Sequence, residues 1–103
     1  MTEPAGALER IVRSGRFCVT AEIVPPRSAD GSSVAAQARS LVGCVDAVNV
    51  TDNPTSLVHM SPLAAAAILA QAGIEPTLQI TCRDRNRLGL SSDLLGAWAL
   101  GAR

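Results

Sequence analysis

Three apolar segments recur along the chain, each breaking abruptly into a polar loop and leading into a helix pattern, at intervals of about 30 residues, the size of a βαβ repeat. Residues 17–24 end in Ala21-Glu22-Ile23-Val24-Pro25-Pro26-Arg27, residues 45–50 in Val50-Thr51-Asp52-Asn53-Pro54, and residues 76–81 in Thr81-Cys82-Arg83-Asp84-Arg85-Asn86-Arg87. Right-handed crossovers place three such strands side by side and parallel. In parallel α/β proteins ligands bind outside the carboxyl ends of the strands, where loops vary over a fixed sheet. All three polar groups are therefore expected on one face.

The intervening segments carry their own start and stop signals. Ala7, Leu8, Ile11 and Val12 stand at helical spacing within residues 4–14, and Gly15 ends that helix. Pro25-Pro26 removes two backbone donors and forces the first strand out of the sheet. Caps at residues 30–33 precede Val34, Ala35, Ala38, Leu41 and Val42, with Gly43 as the stop. The second strand is nearly all apolar, as in a strand covered on both faces. Ser61 before Pro62 starts a helix that runs to Ala72 and Gly73. For the last helix, Ser91 or Ser92 is the expected cap, Asp93 suits the first turn, and Leu94, Leu95, Trp98 and Leu100 form the apolar stripe.

The expected fold class is α/β: a leading helix and three βα units, the N-terminal portion of a TIM-type (β/α)8 barrel. A closed barrel takes about 250 residues, so residues 1–103 are expected to be one partial barrel domain, truncated before a fourth strand and with two naked edges.

Composition narrows the function. Nine basic and nine acidic residues cancel, which argues against a nucleic-acid or acidic-membrane surface. Every basic residue is Arg, so no lysine is present for a Schiff base or a Walker-type phosphate contact. Cys18, Cys44 and Cys82 are isolated and suit free thiols in a reducing cytoplasm. The N-terminus lacks a signal-peptide core, and the apolar run at residues 63–70 is too short to span a bilayer. A soluble cytoplasmic protein is expected.

Several residues could carry chemistry. Glu22, between Ala21 and Ile23, is expected to be partly desolvated and so suited to general acid work, or else paired with Arg27 or loop amides. Thr51, Asp52 and Asn53 form a polar strand tip, although Asp-Asn-Pro is also turn chemistry. Arg83, Arg85 and Arg87 are either a bidentate anion clamp or a solvated loop with internal ion pairs to residues such as Asp84. Gln79 and Thr81 share a strand face. Cys82 reads as a packed thiol and His59, without ligand-spaced partners, as a surface residue, so no metal site is expected. No Gly-x-Gly-x-x-Gly pattern supports a Rossmann site.

These motifs resemble the N-terminal part of the methylenetetrahydrofolate reductase family from Phe17 onward. Glu22-Ile23-Val24-Pro25-Pro26 is similar to the family's opening Glu-x-x-Pro-Pro. Asn49-Val50-Thr51-Asp52-Asn53-Pro54, Met60-Ser61-Pro62, Thr81-Cys82-Arg83-Asp84-Arg85-Asn86 and Ser92-Asp93-Leu94-Leu95-Gly96-Ala97 resemble most the bacterial branch also found fused to a homocysteine methyltransferase. The resemblance implies a (β/α)8 barrel with FAD that reduces 5,10-methylenetetrahydrofolate to 5-methyltetrahydrofolate. It implies NAD(P)H or a partner subunit as electron donor, and an oligomer at full length. Glu22 would protonate the folate nitrogen and open the ring to an iminium that accepts hydride. Thr51, Asp52, Gln79, Thr81, Arg83 and Asp84 would lie at the cofactor, and Asn53 and Asn86 on the folate side. Many members have His where Gln79 stands, and a Gly-Asp motif ends their fourth strand. The 103 residues alone are expected to be inactive. The alternative is a non-catalytic half-barrel module that binds a pterin or nucleotide, or a decayed gene fragment.

Overall fold

The structure is a computed structural model and describes residues 6–103. The first two residues of the helix expected at 4–14 lie outside the described residues. Elements follow the expected order: α1 (Ala7–Ser14), β1 (Thr20–Ile23), α2 (Gly31–Leu41), β2 (Ala47–Val50), a 3₁₀ turn (Pro54–Ser56), α3 (Pro62–Gln71), β3 (Pro76–Leu78) and α4 (Arg87–Ala99). The strands form one parallel sheet in the order β1-β2-β3. This is the α/β architecture of three consecutive units of a parallel barrel.

Local chemistry explains most boundaries. Gly15 (φ 75°) and Gly73 (φ 82°) take the left-handed conformation that ends α1 and the α3 turn. Asp30 caps α2 by accepting from the Ser32 amide, and Ser61 caps α3 by accepting from the Leu63 amide ahead of Pro62. The first turn of α1 has no such local cap. Its Ala7 amide donates instead to both carboxylate oxygens of Glu75, at 2.8 and 2.9 Å, from 68 residues away. Gly6 is needed for that approach, since a Cβ there would lie 2.5 Å from Glu75 Oε1.

One face of the sheet is packed. Ile23, Val48 and Val50 meet Val34 and Ala38 of α2 and Ala65 and Leu69 of α3 in a single core, closed by Ile74. Burying the Val, Leu and Ile side chains among them stabilises by roughly 1.5–3 kcal/mol each. The opposite face is open at β1: the register sets Glu22, Asn49 and Thr77 in one row across the three strands, and Glu22 is exposed. Alternation therefore corrects one expectation. Glu22 is not desolvated by its apolar neighbours, because Ile23 points to the other face; β2 itself is buried on both faces, with Ala47 and Thr51 on the Glu22 side and Val48 and Val50 on the other.

Other boundaries also depart from expectation: β2 begins at Ala47 instead of residue 45, and β3 ends at Leu78 instead of Thr81. The first strand is only four residues long, and Phe17, expected within it, is 89 % exposed. The last helix begins at Arg87, with the Asn86 side chain accepting from the Gly89 amide at 2.8 Å, so Ser91 and Ser92 are not caps and Asp93 lies beyond the first turn. Its expected stripe is largely bare: Leu94, Leu95 and Trp98 are exposed, while Ala97 is buried. Leu8 and Val12 of α1, Leu78 of β3, and Leu94, Ala97 and Trp98 of α4 line an apolar groove of about 430 Å³ beside β3.

Candidate functional site

The sheet ladder continues past the strands and carries the polar tips with it. The Thr51 amide donates to Ile23 O at 3.2 Å and the Gln79 amide to Val50 O at 3.1 Å. Two-residue alternation then sets Thr51 above Asn49 and Gln79 above Thr77, on the open face that holds Glu22. Gln79 Nε2 lies 3.4 Å from Glu22 Oε2, across the intervening strand. The Thr51 hydroxyl is buried with no partner, as is that of Thr77. A buried hydroxyl without a partner is costly, and at a strand tip it marks where a further polar group would be satisfied.

Asp52 is the anchor of the neighbouring loop. It is 5 % exposed, and its Oδ2 accepts from the Thr81 amide at 2.8 Å, the Thr81 hydroxyl at 3.1 Å and Arg85 Nη1 at 2.5 Å. Arg85 Nη2 reaches Oδ1 at 3.4 Å, while its Nε donates to Asp93 Oδ2 at 2.8 Å and its Nη1 to Thr81 O at 3.0 Å. One guanidinium thus ties the ends of β2 and β3 to α4. Burial raises the Asp52 pKa, but hydrogen bonds from Arg85 and Thr81, together with the Arg85 charge, outweigh it and hold the carboxyl below its ordinary 3.8. Hydrogen bonds to Asp52 and then Asp93 raise the Arg85 pKa, so the pair stays ionised.

The three arginines of this loop differ in role. Arg83 Nε bridges both oxygens of Asp84 at 3.1 Å, and its Nη2 donates to Asn53 O at 3.0 Å. Arg85 is enclosed by Asp52 and Asp93, while Arg87 is exposed at the start of α4. The ion-pair reading thus describes Arg83 and Arg85, whose guanidiniums already hold carboxylates of the protein. Asn86 caps α4, and Asn53 Oδ1 accepts from the His59 amide at 2.8 Å.

The loops are sewn together in series. Asn53, Thr55 and Ser56 all have positive φ (44°, 57° and 61°), a strained turn for residues with side chains. His59 Nδ1 donates to Pro25 O at 2.6 Å, the Met60 amide to Pro26 O at 2.7 Å, and Arg27 Nε to Val58 O at 3.3 Å. Arg27 thus holds this loop, not Glu22. His59 is half-buried, not a surface residue, and Cys82 is exposed, not packed. Nothing in local sequence marks His59 or Arg85 as anchors, since their partners lie 34 and 33 residues away. Asn49 was open to detection: Val-Asn-Val sets it on the face opposite both valines.

Fold and site together define a parallel α/β protein of the barrel class, with its polar residues gathered at the carboxyl ends of the strands. No helix among the described residues is long and apolar enough to cross a membrane. The family model for methylenetetrahydrofolate reductase matches residues 7–103, and the chain belongs to that family. Membership places it among folate-linked oxidoreductases of one-carbon metabolism. No curated protein and no solved structure matches the chain.

Proposed function

We infer that these residues serve a flavin-dependent reduction of 5,10-methylenetetrahydrofolate to 5-methyltetrahydrofolate, with Glu22 as general acid. The observation that carries the reading is the open-face group of Glu22, Gln79 and the unpartnered Thr51 hydroxyl, at the strand ends of a chain of this family. FAD is the cofactor we assign, and the orphaned Thr51 hydroxyl fits a polar edge of such a ring. When bound, flavin supplies the two-electron reduction. Thr51 and Thr81 would hold it, with Arg83 and Asp84 at the rim of the same mouth. Asp52 acts by fixing Thr81 through two hydrogen bonds. Asn53 and Asn86, engaged in loop and cap, border the folate side.

Glu22 has one chemical task in this reading, to deliver a proton to the folate nitrogen whose bond to the methylene carbon opens. Glu22 is exposed in the structure, so bound folate and flavin, not the β1 neighbours, would cover it. The same reading takes electrons from NAD(P)H or a partner subunit, places the protein in the cytoplasm as an oligomer, and relates it to the bacterial branch found fused to a homocysteine methyltransferase. Residues 7–103 supply three βα units of the barrel.

Glu22→Gln tests it, in the protein at the length at which the cell makes it. The amide keeps the shape and has no proton to give, so methylene reduction should fall at least ~10²-fold. Flavin reduction by the electron donor should continue. Unchanged folate turnover in the variant removes Glu22 from the mechanism.

A further inference from the structure

We propose that Gln79 is a positioning residue for Glu22: its side-chain amide reaches across β2 and holds the carboxyl group that delivers the proton. The proposal rests on the reading of Glu22 as the acid and gives Gln79 a role other than contact with a cofactor.

Three observations carry it. Gln79 is pinned by its backbone, because its amide donates to Val50 O at 3.1 Å and so extends the β3 ladder by one residue. The register then puts its side chain on the face of Glu22, Asn49 and Thr77, and Nε2 comes within 3.4 Å of Glu22 Oε2. Finally, Glu22 has no ion pair among the described residues, and its strand-to-strand neighbour Asn49 is uncharged. The Asp52 carboxylate at the end of β2 is engaged by Arg85. Among the described residues Gln79 is the side chain that hydrogen-bonds Glu22.

An amide suits both protonation states of its neighbour. Nε2 donates to the carboxylate, and after a half-turn of the last torsion Oε1 accepts from the carboxylic acid. During the transfer the Glu22 O–H bond breaks, an N–H bond forms on the folate nitrogen, and solvent later returns a proton to the carboxylate. Gln79 can follow that cycle without adding a charge. At 3.4 Å the contact is long, so its value lies in limiting the rotamers of an exposed Glu and not in binding energy.

Gln79→Met keeps the shape and removes both hydrogen-bonding groups, Gln79→Glu adds a repelling charge, and Gln79→His restores one donor. In the protein at its cellular length, kcat for methylene reduction should fall about 10- to 100-fold in Gln79→Met, the scale of a misplaced catalytic group. It should fall further in Gln79→Glu and recover in part in Gln79→His. KM for folate, flavin content and the rate of flavin reduction should stay as in the wild type. A second measurement needs no turnover. With ¹⁵N-glutamine labelling, the Gln79 side-chain signal, identified by its loss in Gln79→Met, should shift in Glu22→Gln. An unmoved signal overturns the contact, and loss of flavin or a raised KM in Gln79→Met overturns the role in favour of a ligand contact. If Glu22→Gln abolishes turnover while Gln79→Met does not, the positioning role alone fails. Full turnover in Glu22→Gln removes the acid, and the proposal with it.

Discussion

β3 and α4 build two unlike surfaces, the rim of loops above the strands and the groove alongside them. At the rim, residues 79–86 are held by Asp52, Asn53, Val50 and Asp93 through side chains and backbone. At the groove, Leu78, Leu94 and Trp98 face one another across about 430 Å³ with few polar atoms at all. Arg103 adds order there, with its guanidinium 3.9 Å from the Trp98 ring centroid and its amide on Pro76 O. The rim is specified by directional, long-range bonds, whereas the groove is only apolar area. A surface of the first kind resists substitution of a single polar residue, and one of the second kind tolerates almost any change until something covers it.

Arg85→Met is the strongest way to break this contrast. It leaves the Asp52 carboxylate buried without its cation, a loss of about 3 kcal/mol or more for a buried pair. Denaturant midpoints should drop accordingly, and amide exchange at Thr81 should accelerate ahead of that at Val48 and Val50. Arg85→Lys should recover part of the loss. Equal exchange rates across all three residues in Arg85→Met would show that the rim is not anchored there.

Acid sharpens the same point. The folded-state pKa of Asp52 lies below its ordinary 3.8. Its contribution to stability is therefore complete above that value and disappears as pH falls through the folded value. Asp30, held by Ser32, and Asp84, held by Arg83, shift the same way. Thermal midpoints should stay level from neutral pH to about pH 4 and decline below it. In Asp52→Asn the decline should be shallower, because the titrating anchor is gone. An identical acid limb in that variant would assign the slope to other carboxylates.

The groove should yield the smallest effect. Leu94 is 54 % exposed, so Leu94→Glu should change monomer stability by no more than about 0.5 kcal/mol. Self-association, followed by sedimentation against concentration, should weaken, because a charge interrupts a contiguous apolar surface. Marked unfolding of the variant would mean that the groove is already part of the core.

The contrast also explains which features were legible in the sequence. Strand order, helix stops and two of the caps were readable, because Gly15, Gly73, Asp30 and Ser61 act on neighbours within a few residues. The start of α4 was not. Arg85 is drawn inward by Asp52, which ends the loop there and makes Asn86 the next residue free to cap, so Ser91 and Ser92 fall inside the helix. Glu22 was located correctly at the end of β1 and misjudged in burial, because Ala21 and Ile23 occupy the other face of a sheet whose second side is open at β1. That the three polar loops meet followed from strand ends alone, whereas Gln79 joined them only through the family resemblance. The Gln79 contact and the Asp52 anchor needed the register.

The link from Glu75 to α1 bears on the order in which the chain acquires its structure. An eight-residue helix is too short to persist alone in water. Its first-turn amides find their acceptor only when residue 75 has been brought to them across 68 positions of chain. Closing so long a loop is entropically unfavourable until the intervening strands are in place. Helix α1 therefore locks only once the residues that lead into the third strand are in place beside it.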